Sequence, residues 1–421
     1  MTEPALRKGY CPGVLAPMAA RDGLLVRVRV PGGRLPATSA RRIAELGRRC
    51  GNGLIELSQR ANLQLRGIRV DTLDELTEGL RALGLVSQSV ASEAVRNVLS
   101  TPTAGLDRAA VLDVYPLALA LDARLAEDDT LHGLPPKFAM IVDGGGCGHL
   151  ADSSADIRFD AASAANGPSF RLSLGGDLRS AQPLGLCLPD HLVDMAAAVA
   201  RAFIELRTNL AEPPRRMPSL LDAVGIDAVR ERVPQLRPLT DATAPERPSR
   251  LVLGPHGHWL GVAFPFGRLD CDALEGLAAL SRELRLTPWR ALLLPGATAG
   301  DAAAVLRLGG ILDATDPRLA VAACSGAAGC EAGSTDTHAD ALAIAHAARD
   351  LLAAGRSVHV SGCAKGCAHP APADVTLTAR DGAYEIALNA VPGAPAWRSG
   401  LTPGEAAHTV AGLGSEELSR V

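Results

Sequence analysis

The chain has 421 residues, 47% apolar and 21% charged, which suits two to four domains of about 150 residues each and excludes an extended disordered or coiled-coil polymer. Forty-two basic residues against 46 acidic ones, with aromatics at only 3%, exclude a general nucleic-acid surface, whether electrostatic or stacking. The start MTEPALRKGY lacks an apolar signal core and no uncharged apolar run reaches the ~18 residues of a membrane span, so a soluble, cytoplasmic chain is expected. From Gly23, GLLVRVRVPGGRL alternates apolar residues into a turn, ATSARRIAELGRRC carries a helical period, and GLIELS reads as a further strand. The same β-α-β order recurs as GHWLGVAFPFGRL, DALEGLAALSRELR and PWRALLL when residues 23–67 are laid over 257–301. A longer α/β stretch follows each unit, with helices expected at 192–207 and 338–354. Prolines crowd 211–250, from Pro213 to Pro248, around one short helical segment, which reads as a linker. The expected organisation is an α+β fold with half-domains at 1–72 and 251–312, α/β domains at 73–210 and 313–421, and the linker between the halves.

Nine cysteines without a secretion signal do not suggest a disulfide framework. Cys11, Cys50, Cys147, Cys187 and Cys271 are scattered and read as small buried apolar groups. The other four form a pattern: Cys324 and Cys330 enclose five residues, Cys363 and Cys367 enclose three, and 32 residues separate the pairs. Four thiolates on two glycine-rich loops suit one tetrahedral ion or one cluster. Structural zinc favours C-x2-C knuckles, whereas C-x5-C with C-x3-C fits the larger perimeter of a [4Fe-4S] cluster; zinc and four unrelated thiols are the alternatives.

CSGAAGC, followed after one helix by SVHVSGCAKGCAHP, resembles the cysteine signature of the siroheme nitrite and sulfite reductases. The resemblance implies two ferredoxin-like half-domains and two larger α/β domains in pseudo-twofold array. RKGYCPGVLAPMAARDGLLVRV and SQRANLQLRGIRV are similar to the precorrin-3B synthase branch of that superfamily. That branch hydroxylates precorrin-3A at the meso carbon between rings A and D and closes a lactone with the ring A acetate, in aerobic cobalamin biosynthesis. For this chain it implies a monooxygenase with a tetrapyrrole substrate, O2, an external electron donor, a [4Fe-4S] cluster and a mononuclear non-haem iron. The alternatives are a siroheme-dependent nitrite or sulfite reductase, in which Cys367 would link cluster and haem, and a non-catalytic tetrapyrrole or electron carrier. No dinucleotide fingerprint or flavin motif is evident, so electrons are expected from a partner.

The resemblance also nominates anion-binding positions. Arg60 matches the superfamily's first anion-binding arginine, and Asn62, Gln64 and Arg66 on the following extended stretch are carried with it as substrate-binding, with Arg69 as further charge. Arg96 and Asn97 match the second arginine motif, and on the repeat Arg96 falls on Cys330, so that one half would carry a cationic wall and the other the cluster. Lys137 of LPPKF matches the first lysine of the reductases' loop, and Ala139 stands where sulfite reductases have a second. Arg60, Arg96 and Lys137 are the expected catalytic set, because guanidinium and ammonium groups bind carboxylates and oxyanions. AMIVDGGGCG resembles VHVSGCAKGC and is expected to form the equivalent loop without a cluster. Asp143, His149, His359 and His369 are candidate ligands for the mononuclear iron, with Cys147 a further candidate ligand, against the simpler reading of buried, hydrogen-bonded groups. Arg247, in the linker, is expected to take no part.

Overall fold

The computed structural model describes residues 12–164, 167–233, 236–238, 245–250 and 252–414; Cys11 lies outside them. The first half opens with β1 (Met18–Ala20), β2 (Gly23–Val28), β3 (Arg34–Pro36), α1 (Ala37–Cys50), β4 (Leu54–Leu57), β5 (Leu63–Ile68) and α2 (Leu73–Ala82). It continues through α3 (Val90–Val95), β6 (Val98–Ser100), α4 (Tyr115–Glu127), β7 (Met140–Asp143), β8 (Ala155–Ala164), β9 (Gly167–Gly176), β10 (Gln182–Cys187), α5 (Leu192–Thr208) and α6 (Met217–Arg230). The second half opens with β11 (Gly254–Pro255), β12 (Trp259–Ala263), β13 (Arg268–Asp270), α7 (Cys271–Leu280), β14 (Glu283–Leu286), β15 (Ala291–Pro295) and α8 (Ala302–Arg307). Its α/β part comprises β16 (Val321–Ala323), α9 (Gly326–Gly329), α10 (Thr337–Ala347), α11 (Arg349–Ala353), β17 (Val358–Ser361), β18 (Ala373–Arg380), β19 (Ala383–Ala390), β20 (Arg398–Leu401) and α12 (Pro403–Ala411).

The fold is α+β, and its repeat is visible in the sheets. The α/β sheets have orders β10-β9-β8-β7-β6 and β16-β17-β18-β19-β20. In each, the first two pairings in chain order are parallel and the last two antiparallel, so the halves share one topology. Parallel neighbours send their following loops to the same end of the sheet, which is where α/β folds place ligands.

The two β-α-β units are not separate bodies. β3 leaves its own unit to pair with β14, Leu35 opposite Leu284, and β13 pairs with β4, Leu269 opposite Ile55. One apolar core therefore runs through both units, from Val26, Ile43 and Leu65 to Leu260, Leu274 and Leu292. Helices α1 and α7 lie against each other across it, close enough that a Cβ at Gly47 would collide with Cys271 Sγ at 2.6 Å. Burial pushes the Cys271 thiol up to about 11 and the Cys187 thiol up to about 12, as apolar packing requires.

Three expectations change. DALEGLAALSRELR is not one helix: Asp270 caps α7 through Ala273 N–H (2.7 Å), but Ser281 Oγ donates to the Glu283 and Pro295 carbonyls (2.7 and 2.8 Å) and turns the chain into β14. GLIELS is therefore matched by ELRL rather than by PWRALLL, which is β15, the counterpart of β5. The helix expected at 338–354 breaks at Ala348 into α10 and α11. In 211–250, α6 is part of the first α/β domain, because Met217, Leu220, Leu221, Val229 and Val233 enter its core.

Candidate active site

The tip of the β4–β5 hairpin is a tight turn in which Ser58 Oγ accepts the N–H groups of Arg60 (3.3 Å) and Asn62 (3.1 Å), and Ala61 takes a φ of 50°. This turn carries Arg60 over to the first α/β domain, where its Nη2 donates to the Lys137 carbonyl at 3.0 Å. Asn97 reaches the same loop: its Nδ2 donates to the carbonyls of Ala94 (2.8 Å) and Pro136 (3.1 Å). Arg60, Asn62, Arg96 and Asn97 thus line one pocket, with Asp122 and Ala139 in its wall. Lys137 is exposed and, contrary to the expected cationic wall, is not among the residues lining the pocket; only its carbonyl is tied to it, through Arg60. Among the described residues Asn97 Oδ1 is buried without a hydrogen-bond partner.

Arg96 is not the open cation that was expected. Its Nε and Nη2 both donate to Asp122 Oδ2 (2.9 and 2.6 Å) and its Nη1 donates to Ser87 Oγ (2.9 Å), so the fork is occupied and its charge balanced. Nor is it the counterpart of Cys330. Arg96 precedes β6, whereas Cys330 follows β16, and the equivalent sheet registers set Thr101, not Arg96, against a cysteine, Cys324. Arg29 was missed. It is 4% exposed, lies 3.6 Å from Glu93 and lines the pocket, while Glu93 also accepts Val14 N–H at 2.8 Å and Leu15 N–H at 3.1 Å. The alternating arginines of LLVRVRV were its only signal, and Arg27 and Arg29 share that face.

Gln64 and Arg66 do not join the pocket. They face the cysteine loops in a polar layer where Gln64 accepts Arg27 Nη2 (2.7 Å) and donates to Glu56 (3.1 Å), and Ser325 Oγ donates to Glu56 (3.4 Å). Arg66 donates to Asp22 at 3.0 and 2.7 Å and to the Gly329 carbonyl at 2.8 Å. Burial opposes its charge, but Glu56, Asp22 and the Cys330 thiol outweigh it and hold the guanidinium above its ordinary value. Arg69 is exposed and donates to the Arg49 carbonyl (2.7 Å).

Cys324 follows β16, and Cys363 and Cys367 follow its parallel neighbour β17, with Ala323 opposite Val360. Both cysteine loops therefore leave the same end of the sheet. They are joined directly, for Gly362 N–H donates to Cys324 Sγ at 3.2 Å. Burial, and then the thiols of Cys324, Cys363 and Cys330 against the opposing Lys365 charge, push the Cys367 thiol up. A Cβ at Gly329 would displace the Arg66 guanidinium from its seat. Four soft donors on two loops, one already receiving a backbone N–H, fit an iron-sulfur cluster.

Asp143, His149, His359 and His369 do not converge. Among the described residues no three His, Cys, Asp or Glu side chains close around a point as for a single ion. Asp143 accepts Thr101 Oγ1 (2.8 Å), Gly145 N–H (2.9 Å) and Leu150 N–H (3.2 Å), and lies 3.6 Å from Arg247 Nε. His149 Nε2 is 3.0 Å from the Pro248 carbonyl, and His359 meets His369 edge to face at 5.8 Å in the other domain. Cys147 is fixed through its N–H to Asp107 (2.5 Å). The loop after β7 is thus the counterpart of the loop after β17, filled by the linker instead. Arg247, only 7% exposed in its side chain, also donates to the Ala161 carbonyl (3.1 Å), and Arg250 pairs with Asp152 and covers the Trp289 ring at 4.5 Å. Arg247 is therefore a structural residue, which its place in the linker did not signal.

The family description "Nitrite/Sulfite reductase ferredoxin-like half domain" matches residues 17–83 and 253–308, and "Nitrite and sulphite reductase 4Fe-4S domain" matches 91–238. The second match covers the half without the four-cysteine pattern. The chain belongs to the nitrite and sulfite reductase superfamily, and it is an oxidoreductase. It is similar to the precorrin-3B synthase of Sinorhizobium sp, 31% identical over 92% of this chain and 84% of that one. It is also similar to the ferredoxin–nitrite reductase of Synechococcus elongatus, 29% identical over 84% of this chain and 75% of that one. The fold matches that of the Mycobacterium tuberculosis NirA protein with a TM-score of 0.74, at 23% identity over 92% of this chain and 79% of that one. No helix among the described residues is long and apolar enough to cross a membrane.

Proposed function

We propose that the chain is a precorrin-3B synthase, which takes a polycarboxylate tetrapyrrole, places one oxygen atom of O2 on the meso carbon between rings A and D, and lets the ring A acetate close a lactone. The other oxygen atom leaves as water, which requires two electrons from an external donor and two protons. One observation carries the reading: Arg60, Asn62, Arg96 and Asn97 share a single pocket whose wall holds Ala139 rather than a second lysine. Similarity to the Sinorhizobium synthase over nearly the whole chain supports it.

The chemistry asked of the chain's own residues follows from that pocket. Arg60, steadied by the Lys137 carbonyl, is the guanidinium that binds a substrate carboxylate. Asn97 Oδ1 accepts a hydrogen bond from the ligand, satisfying a buried atom that has no partner among the described residues. Lys137 contributes through its carbonyl, which holds Arg60, and the Arg96–Asp122 pair shapes the wall without net charge. Cys324, Cys330, Cys363 and Cys367 would hold a [4Fe-4S] cluster, which when bound supplies one-electron transfer between the external donor and the site.

The second reading is a siroheme-dependent nitrite or sulfite reductase. It is favoured by the exposure of Cys367, alone among the four cysteines, at the position that would meet a haem iron. Anaerobically purified protein separates the two. The synthase reading expects iron and sulfide without stoichiometric siroheme, loss of the broad sulfur-to-iron absorption in each Cys→Ser variant at the four positions, and O2-dependent gain of one oxygen atom by precorrin-3A. Tightly bound siroheme with turnover of nitrite or sulfite by reduced viologen would replace it with the reductase. Retention of iron and sulfide in all four variants would remove the cluster assignment.

A further inference from the structure

Arg66 stands on β5 between the exchanged sheets and the first cysteine loop, with its side chain 6% exposed. The nitrogen that donates to Asp22 Oδ1 at 2.7 Å also donates to the carbonyl of Gly329, the residue before Cys330, at 2.8 Å. This close seat exists only because residue 329 has no side chain. Glu56, 3.7 Å from the guanidinium, receives Ser325, the residue after Cys324. Arg66 therefore touches one end of the Cys324–Cys330 loop directly and the other through Glu56.

We propose that Arg66 is a positioning residue for the cluster: it fastens the Cys324–Cys330 loop through the Gly329 carbonyl and keeps a permanent positive charge beside Cys330 that raises the cluster's reduction potential. The inference rests on the assignment of the four cysteines as cluster ligands. A guanidinium cannot lose its proton in a protein, and a buried charge is little screened by salt. Cluster potentials respond to nearby charge and to the bonding of the ligand loops. Neutralising Arg66 removes the positive charge and leaves Asp22 and Glu56 uncompensated, and both changes favour the oxidised cluster.

The test is a redox titration of anaerobically prepared full-length protein, followed by the absorption and electron paramagnetic resonance of the cluster, with iron and sulfide measured on each sample. Arg66→Gln is expected to lower the midpoint potential and to quicken cluster loss in air. Arg66→Lys, which keeps the charge, is expected to recover most of the potential. Gly329→Ala keeps Arg66 but evicts it from its seat, and is expected to shift the potential in the same direction as Arg66→Gln by less. If Arg66→Gln holds no cluster, Gly329→Ala decides. Arg124→Gln, at a solvent-facing position of α4 in the first α/β domain, is the control. Full iron and sulfide at the parent potential in both Arg66→Gln and Gly329→Ala would overturn the proposal. A parent protein without iron and sulfide would instead overturn the cysteine assignment, so the two failures read differently.

Discussion

The Arg60 guanidinium and the Lys137 carbonyl are hydrogen-bonded at 3.0 Å across the interface between the exchanged sheets and the first α/β domain. Lys137 thus acts on the pocket first through its backbone, which no side-chain substitution removes. Arg60→Gln is expected to weaken binding of the tetrapyrrole polycarboxylate more than tenfold, since removing one member of a desolvated charge pair costs about 2–5 kcal/mol. Lys137→Gln, exposed and with its carbonyl intact, is expected to cost less. Equal losses in both variants, measured by titration against Arg124→Gln, would place the substrate elsewhere.

Arg96 should behave as a stability residue before it behaves as a binding one. Arg96→Ala leaves the Asp122 carboxylate, about a tenth exposed, without its partner, and breaking such a buried pair costs about 3–5 kcal/mol. Replacing both members by apolar residues, Arg96→Met with Asp122→Leu, is expected to recover most of it. Urea unfolding followed by circular dichroism checks both steps. A single variant as stable as the parent contradicts the pairing.

The linker arginine makes the opposite case. Arg247→Ala removes the guanidinium beside fully buried Asp143, which keeps Thr101, Gly145 and Leu150 as donors. The expected loss is therefore smaller, about 1–3 kcal/mol, and is accompanied by faster proteolysis at 245–250. Cluster content should be unchanged. A variant with parental urea midpoint and parental cleavage would mean that the linker is not anchored there.

Two histidines set the acid limit. Desolvation first, and then Arg268 against its ring, pushes His338 down to about 4, and desolvation followed by His369 pushes His359 down to about 4, from an ordinary value of 6.5. The unfolded chain takes up these protons near pH 6.5 and the folded chain only near 4. Stability from this source is therefore full above pH 6.5 and falls as pH drops toward 4. The urea midpoint should be lower at pH about 5 than at about 7, and His338→Gln should flatten that slope. A slope unaltered by the substitution would assign the acid sensitivity to other groups.

Much of the architecture was legible because apolar periodicity survives in both halves: the repeat at 23–67 and 257–301 located both units, and the two cysteine pairs fell on loops at one end of one sheet. The helix α5 was plain from its pattern, whereas SRELR carried helix-favouring residues into a strand, because pairing with β3 and the hold of Ser281 outweigh local propensity. Nothing in a linear repeat says which sheet receives β3 or β13. Arg66 shows the same limit for the site: its motif nominated it for substrate binding, but its partner, the Gly329 carbonyl, is set by tertiary packing. Proline density read 211–250 as a linker, but did not show that Met217–Arg230 folds as α6 into the first α/β domain or that Arg247 turns inward to a carboxylate from another element.

The exchange of β3 and β13 has a consequence for how the chain is made. While the first half emerges from the ribosome, β4 has an unpaired edge, because its neighbour Arg268–Asp270 is among the later residues to be synthesised. β3 likewise waits for Glu283–Arg285. The first unit cannot complete its sheet alone, and the first α/β domain, whose strands are all its own, is free to close beforehand. Assembly is thus ordered from the domain outward to the exchanged sheets, with an exposed strand edge for the whole interval, a period in which a newly made chain is open to pairing with another copy of itself.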